Sequence, residues 1–222
     1  MRSIDMRTIW SLLRTELSAH AAALRTFAVV AVIISTANLA MGGATPAITV
    51  CVLTVAFLPS ILFAQDERMH LDAMYSILPV TRSQFVVSRY LLVALVTAVM
   101  ALASLVVARV EAAVHGPGEV RVPVSVPAVT GMAVAAVGAA VAVQLLLFFA
   151  LGHARTGTYA YGATMVLMVG GGFLVERLPG FAAAVIRWAA SSWTGPAGLG
   201  IAVVLLAVSA VASVAAYRRR SL

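Results

Sequence analysis

The sequence predicts an all-α, polytopic membrane protein with six transmembrane helices. An amphipathic helix is expected before them and a cytoplasmic helix between spans two and three. Three observations carry this. Of 222 residues, 62% are hydrophobic and 10% charged, where a soluble domain is roughly half apolar and about a quarter charged. Six apolar runs reach the length of about 20 residues that a bilayer crossing needs. The few charges collect between those runs, as 15 arginines, no lysine and eight acids. Disorder is excluded by the same figures, since disordered chains are polar and charge-rich.

The first element spans 3–20. Ile9, Leu13 and Leu17 recur at helical spacing with Trp10 and Leu12 alongside, while Arg7, Ser11, Arg14 and Glu16 face elsewhere. This describes an amphipathic helix at the membrane surface with Trp10 at headgroup depth. A cytoplasmic extension of span one is the alternative. Spans follow at about 22–41, 46–64, 88–108, 125–151, 158–175 and 197–216, so residues 1–222 read as one transmembrane domain. The first run is not expected to be a cleaved signal, because its leader is long, carries Asp5 and Glu16, and precedes five more spans.

Between spans three and four, Gly116-Pro117-Gly118 marks an outer loop. Segment 176–196 opens on Pro179-Gly180 and closes on Pro196. Its apolar centre is too short to cross, and Arg187, Trp188 and Trp193 suit an interface. A short helix dipping into the outer leaflet is expected there, with a plain loop as the alternative.

Arginine sets the orientation. With both termini and the loops after spans two and four inside, eleven arginines lie inside and four outside (Arg109, Arg121, Arg177, Arg187). The net charge of +7 divides as +6 inside and +1 outside. That is the positive-inside pattern, so the basic balance requires no nucleic-acid partner. Cys51 stands alone, and His20, His70, His115 and His153 lack metal-ligand spacing. All eight acids fall in span ends or loops, against the buried carboxylates that ion-coupled transporters use. Asn38 and Gln144 are the notable polar groups inside spans, fit either to line a path or to bond between helices.

One cytoplasmic loop is informative, "AQDERMHLDAMYSILPVTRSQFVVSRYL" at 64–91. Asp66, Glu67 and Arg68 mark the exit of span two. Leu71, Met74, Tyr75 and Leu78 then recur at helical spacing, and Pro79 ends that helix. Thr81 and Gln84 form a capping box that starts span three. Exposed apolar side chains on a short helix held between two membrane helices suggest a docking surface.

In this loop the order of two acids and a base, a short helix, "LPV", "TRS" and an arginine-tyrosine pair opening a span resembles the permease subunits of ABC-2-type transporters. The segment "LLLFFALGHARTGTYAYG", within 144–162, is similar to a second family pattern, an aromatic-glycine stretch followed by arginine. Arg89 stands where such permeases usually carry lysine, and His153-Ala154-Arg155 supplies less charge than their second loop. The resemblance implies an exporter subunit of a bacterial cytoplasmic membrane, without catalytic residues or a bound cofactor of its own. It would work as a homo- or heterodimer among membrane lipid, with two separate ATP-binding subunits that hold ATP and Mg2+. Residues 69–78 would form the coupling helix, with Asp66, Glu67, Arg68, Asp72 and Arg82 as polar contacts and Leu71, Met74, Tyr75 and Leu78 as apolar ones, stopped by Pro79. Independently, the chain holds no GxxxxGK[ST] phosphate loop. A non-transporting scaffold or sensor bound to an ATPase, and an ion-coupled secondary transporter, are the alternatives.

Overall fold

The structure is a computed structural model that describes residues 6–69, 81–115, 125–152, 156, 159, 161–166, 170, 173 and 177–219. Helix α1, Met6–Ala19, is followed at once by α2, Ala21–Gly42, with only His20 between them. Gly43 then turns the chain at φ 84°, a conformation that costs glycine little. Its N–H bonds the carbonyl of Leu39, closing α2 as α3, Ala44–Leu53, begins.

The second apolar run is not one uniform helix. A 3-10 turn, Thr54–Phe57, separates α3 from α4, Leu58–Arg68. Pro59 in the first turn of α4 explains the break, because it has no N–H to offer the carbonyl of Val55. That carbonyl instead accepts the N–H of Leu58, the tighter bond of a 3-10 turn. The remaining helices are α5, Arg82–His115; α6, Val126–Leu151; α7, Pro179–Ala189; and α8, Thr194–Arg219.

Among the described residues, five helical stretches are long and apolar enough to cross a membrane: Ala21–Met41, Thr45–Arg68, Ser83–Val110, Val126–Leu151 and Thr194–Tyr217. Half of the expected fifth span, 158–175, falls outside the described residues; the other half, 159, 161–166, 170 and 173, is helical. No strand occurs among the described residues. Helix α7 replaces the plain loop as the form of 179–189; eleven residues reach only about 16 Å, short of a crossing.

Burial sorts the spans into inner and outer. Within the spanning windows, 56% of both Thr45–Arg68 and Val126–Leu151 is buried, against 17% of Ala21–Met41 and of Thr194–Tyr217. The core therefore lies between the second span and α6, where Val52, Val55, Leu58, Leu62, Val137, Val141 and Leu145 meet. Helix α5 closes it with Val86, Leu92 and Val93. The outer faces of α2, α5 and α8 expose Val32, Ile33, Leu102, Val106, Val203 and Val208. Such a surface is stable against hydrocarbon and costly against water.

Helices α6 and α8 meet along small residues. Gly131 lies against Gly195, Gly138 against Ala202, and Gly198 against the carbonyl of Gly131. Among apolar helices in lipid, association relies on such close backbone packing. A Cβ added at Gly138 would stand 2.8 Å from the Ala202 Cβ, and one at Gly198 would strike backbone that cannot move alone. Gly200, two residues along, faces open space. We expect Gly198→Ala to lower unfolding stability in detergent by about 1–3 kcal/mol, as overpacking does. Gly200→Ala should leave it within about 0.5 kcal/mol.

Candidate functional site

The helix stripe of α1 carries two polar residues inward. Ile9, Leu12, Leu13, Glu16 and His20 are all buried, while Trp10, Ser11, Arg14 and Ser18 are exposed. The sequence reading had set Glu16 on the polar face, and the structure corrects this. At roughly 100° per residue, Glu16 falls within about 20° of Ile9, whereas Leu17 sits about 80° to the side of Ile9 and is half-buried.

A second buried charge comes from the end of α4. Asp66, Glu67 and Arg68 look equivalent as boundary charges, yet Asp66 turns inward and is 4% exposed while Glu67 and Arg68 face out. The third comes from α5. Its start is set by the capping box: the Thr81 N–H donates to Gln84 Oε1 at 2.9 Å, and the Gln84 N–H donates to Thr81 Oγ1 at 3.3 Å. Because α5 begins at Arg82, ahead of the apolar run, Ser88 and Arg89 lie in its second turn and point into the protein.

Arg89 is fully buried and joins the other two helices. Its Nη2 donates to Asp66 Oδ2, its Nε stands 3.4 Å from Glu16 Oε1, and its Nη1 lies 3.1 Å from His20 Nε2. Ser88 Oγ donates to Glu16 Oε1 at 2.8 Å, and His20 Nε2 is 3.2 Å from Asp66 Oδ1. Aromatic rings cover the guanidinium, with Phe85 at 5.3 Å and Phe63 at 5.6 Å from Cζ. Around them Phe149 packs against Phe63, Phe85, Tyr90 and Tyr217, bringing the ends of α6 and α8 to the same face of the protein.

Burial raises the Glu16 carboxyl above the ordinary glutamate value. Asp66 adds to the rise, while Arg89, the Ser88 hydroxyl and His20 oppose it. The folded state thus holds this proton more tightly than the unfolded chain. Its contribution to stability is fully present below the ordinary value and is lost as pH rises through the raised one.

The two polar residues singled out within spans differ. Gln144 is buried and ties three segments: its Nε2 donates to the Ala56 carbonyl in the 3-10 turn at 2.8 Å and to Thr164 Oγ1, and its Oε1 accepts from Ser60 at 3.4 Å. It therefore braces the 3-10 turn from α6 through the Ala56 carbonyl. Asn38 donates to the Ile34 carbonyl of its own helix at 2.9 Å, and among the described residues it makes no bond between helices. A polar chain the sequence did not disclose runs from Ser213 to Tyr90 (2.8 Å), Ser209 (2.7 Å) and the Ala142 carbonyl (2.6 Å), linking α8, α5 and α6.

Of the residues read as the coupling loop, the structure joins Asp66 to the buried cluster and leaves Glu67 and Arg68 at the surface. Leu71, Asp72, Met74, Tyr75, Leu78, Pro79 and the side chain of Arg82 lie outside the described residues. Arg89, Glu16, His20 and Ser88 were missed as a site; the available signal was an acid and a histidine in line with the apolar stripe of α1. Replacing Arg89 by Met leaves two buried carboxylates with no cation. A loss of about 3–5 kcal/mol in unfolding stability is expected. Arg68→Ala, exposed beside it, should change stability by no more than about 0.5 kcal/mol.

The profile of the ABC-2 family transporter proteins matches residues 11–218. No curated protein and no solved structure matches the sequence significantly. The matched range begins within α1 and ends within α8, so it takes in the Glu16–Asp66–Arg89 cluster and every described span. By that match the chain belongs to the ABC-2 family of transporter membrane proteins, as a permease.

Proposed function

We propose that this permease is the membrane subunit of an ATP-driven exporter, acting as a dimer with two separate ATP-binding subunits. The carrying observation is the buried cluster at the base of the 64–91 loop. It fastens the end of α4 to the start of α5 and both to α1. A push on the loop between them then moves three helices together instead of bending one connection.

In this reading the loop helix at about 69–78 seats in a groove of the ATPase. Glu67, Arg68, Asp72 and Arg82 make its polar contacts, and Leu71, Met74, Tyr75 and Leu78 its apolar ones, with Pro79 ending the helix. Asp66, being buried, positions the loop through Arg89 instead of touching the partner. ATP and Mg2+ belong to the partner, because this chain has no lysine for a phosphate loop. The face shared by Glu16, Asp66, Phe149 and Tyr217 is cytoplasmic, since the inner arginines cluster there. Six spans, with 158–175 as the fifth, keep both termini on that side in a bacterial cytoplasmic membrane. Helix α1 lies in the inner interface beside Trp10, and α7 in the outer leaflet. Apolar spans of this kind suit a hydrophobic or amphipathic substrate.

Helix α4 can swing against α3 at the 3-10 turn, and Gln144 sets the angle. ATP-driven closure would move α4 and α5 about that joint and switch a path along the dimer axis between the two faces. Co-expression with an ATP-binding subunit of the same genome, purification and reconstitution into proteoliposomes test this. The pair Glu67→Ala and Tyr75→Ala should weaken ATPase binding by about 2 kcal/mol, roughly thirtyfold in Kd, and lower ATP-dependent transport with it. Unchanged binding and transport in that variant, or uptake driven by an ion gradient without ATP, would overturn the reading.

A further inference from the structure

Among the described residues, the charges in the buried cluster do not balance. From α1 come Glu16 and His20, from α4 Asp66, and from α5 Arg89 with the neutral Ser88. One guanidinium faces two carboxylates, and Phe63 and Phe85 cover it. A net negative charge enclosed away from water is strongly disfavoured unless something neutralises it.

The hydrogen bonds show the same deficit independently. His20 Nε2 lies between a donor, Arg89 Nη1 at 3.1 Å, and an acceptor, Asp66 Oδ1 at 3.2 Å. One ring nitrogen offers either a lone pair or an N–H and cannot serve both. With the lone pair turned to Arg89, Asp66 Oδ1 faces a second acceptor across a 3.2 Å gap. Asp66 Oδ1 and Glu16 Oε2 are buried acceptors without a hydrogen-bond partner among the described residues, whereas His20 Nδ1, with the lone pair on Nε2, is a buried N–H that finds no acceptor there. A missing hydrogen accounts for the gap, and a missing positive charge accounts for the count. One proton supplies both.

We propose that the cluster is a proton-binding site: with α1 docked it holds one proton as a unit, and it releases that proton when α1 lifts from α4 and α5. Such a proton belongs to the coupled group and not to one residue. The upward displacement of the Glu16 carboxyl by burial agrees with this. Once α1 is in water, free carboxylates and imidazole are deprotonated above about pH 7. Docking then takes up one proton, so rising pH loosens α1 from the span hairpin. The N-terminal helix becomes a clamp whose hold reports cytoplasmic pH.

Hydrogen exchange of the α1 amides in the full chain in detergent micelles reads this equilibrium, after correction for the intrinsic pH dependence of exchange. In the wild type, protection should fall about tenfold per pH unit above about pH 7, the slope of one linked proton. Glu16→Gln and Asp66→Asn each remove one negative charge while keeping shape and an acceptor oxygen. Either variant should hold α1 with protection independent of pH. Each decides separately, so the failure of one to fold leaves the other as the test. A wild-type protection that does not vary with pH, or a slope that survives in either amide variant, overturns the proposal. A purely structural role for the cluster would change the level of protection and not its slope.

Discussion

A fully buried arginine held between two carboxylates from distant parts of the chain is the constraint around which this permease is arranged. Arg89 alone would be ruinous in an apolar bundle, and so would Glu16 or Asp66. Arg89 is tolerated only while a carboxylate faces it, and each carboxylate only while Arg89 is in place. The end of α4, the second turn of α5 and the last turn of α1 must therefore occupy one site together. Hydrophobic packing tolerates sliding and small rotations, whereas this site admits one arrangement. That difference converts an otherwise greasy interface into a joint with a defined geometry.

The rest of the bundle supports that joint by other means. Lipid removes most of the hydrophobic drive between helices, so close contact and polar bonds take its place. Gly131, Gly138 and Gly198 let α6 and α8 approach backbone to backbone. Tyr90, one residue after Arg89, reaches Ser209 and Ser213 and so carries the position of α5 to α8. On the opposite side of the core, Gln144 satisfies the carbonyl exposed at the 3-10 turn above Pro59. The second span thus has a fixed lower half, α4, joined to its upper half by a weakened and separately braced turn. Under the proposed coupling, movement from a cytoplasmic partner would enter the membrane through this division.

Much of this was legible from the residues. Apolar length located the spans, and the Thr81–Gln84 spacing gave the start of α5 because a capping box is a local signal. Pro59 was an equally local sign of the broken second span, but the hydrophobicity around it is continuous, and length alone read through it. The charged cluster was hidden for a different reason. Glu16 and Arg89 are 73 positions apart, and no periodicity connects them. Asp66 differs from Glu67 only by one step around the helix, and in a run of three charges nothing in the composition says which one turns inward. Asn38 and Gln144 were alike as polar residues in apolar runs; only the neighbouring break at Ala56 separates the one that bridges helices from the one that bonds its own.

The central claim is that these charges hold one another in place, so that removing the whole set is tolerated and removing its centre is not. The most direct measurement compares unfolding stability in detergent for Arg89→Met alone and for Arg89→Met combined with Glu16→Gln and Asp66→Asn. Mutual compensation predicts that the triple variant regains most of what the single variant loses, ending within about 2 kcal/mol of the wild type. A triple variant that is as unstable as the sum of its parts would show that the three residues act separately, and would contradict the account.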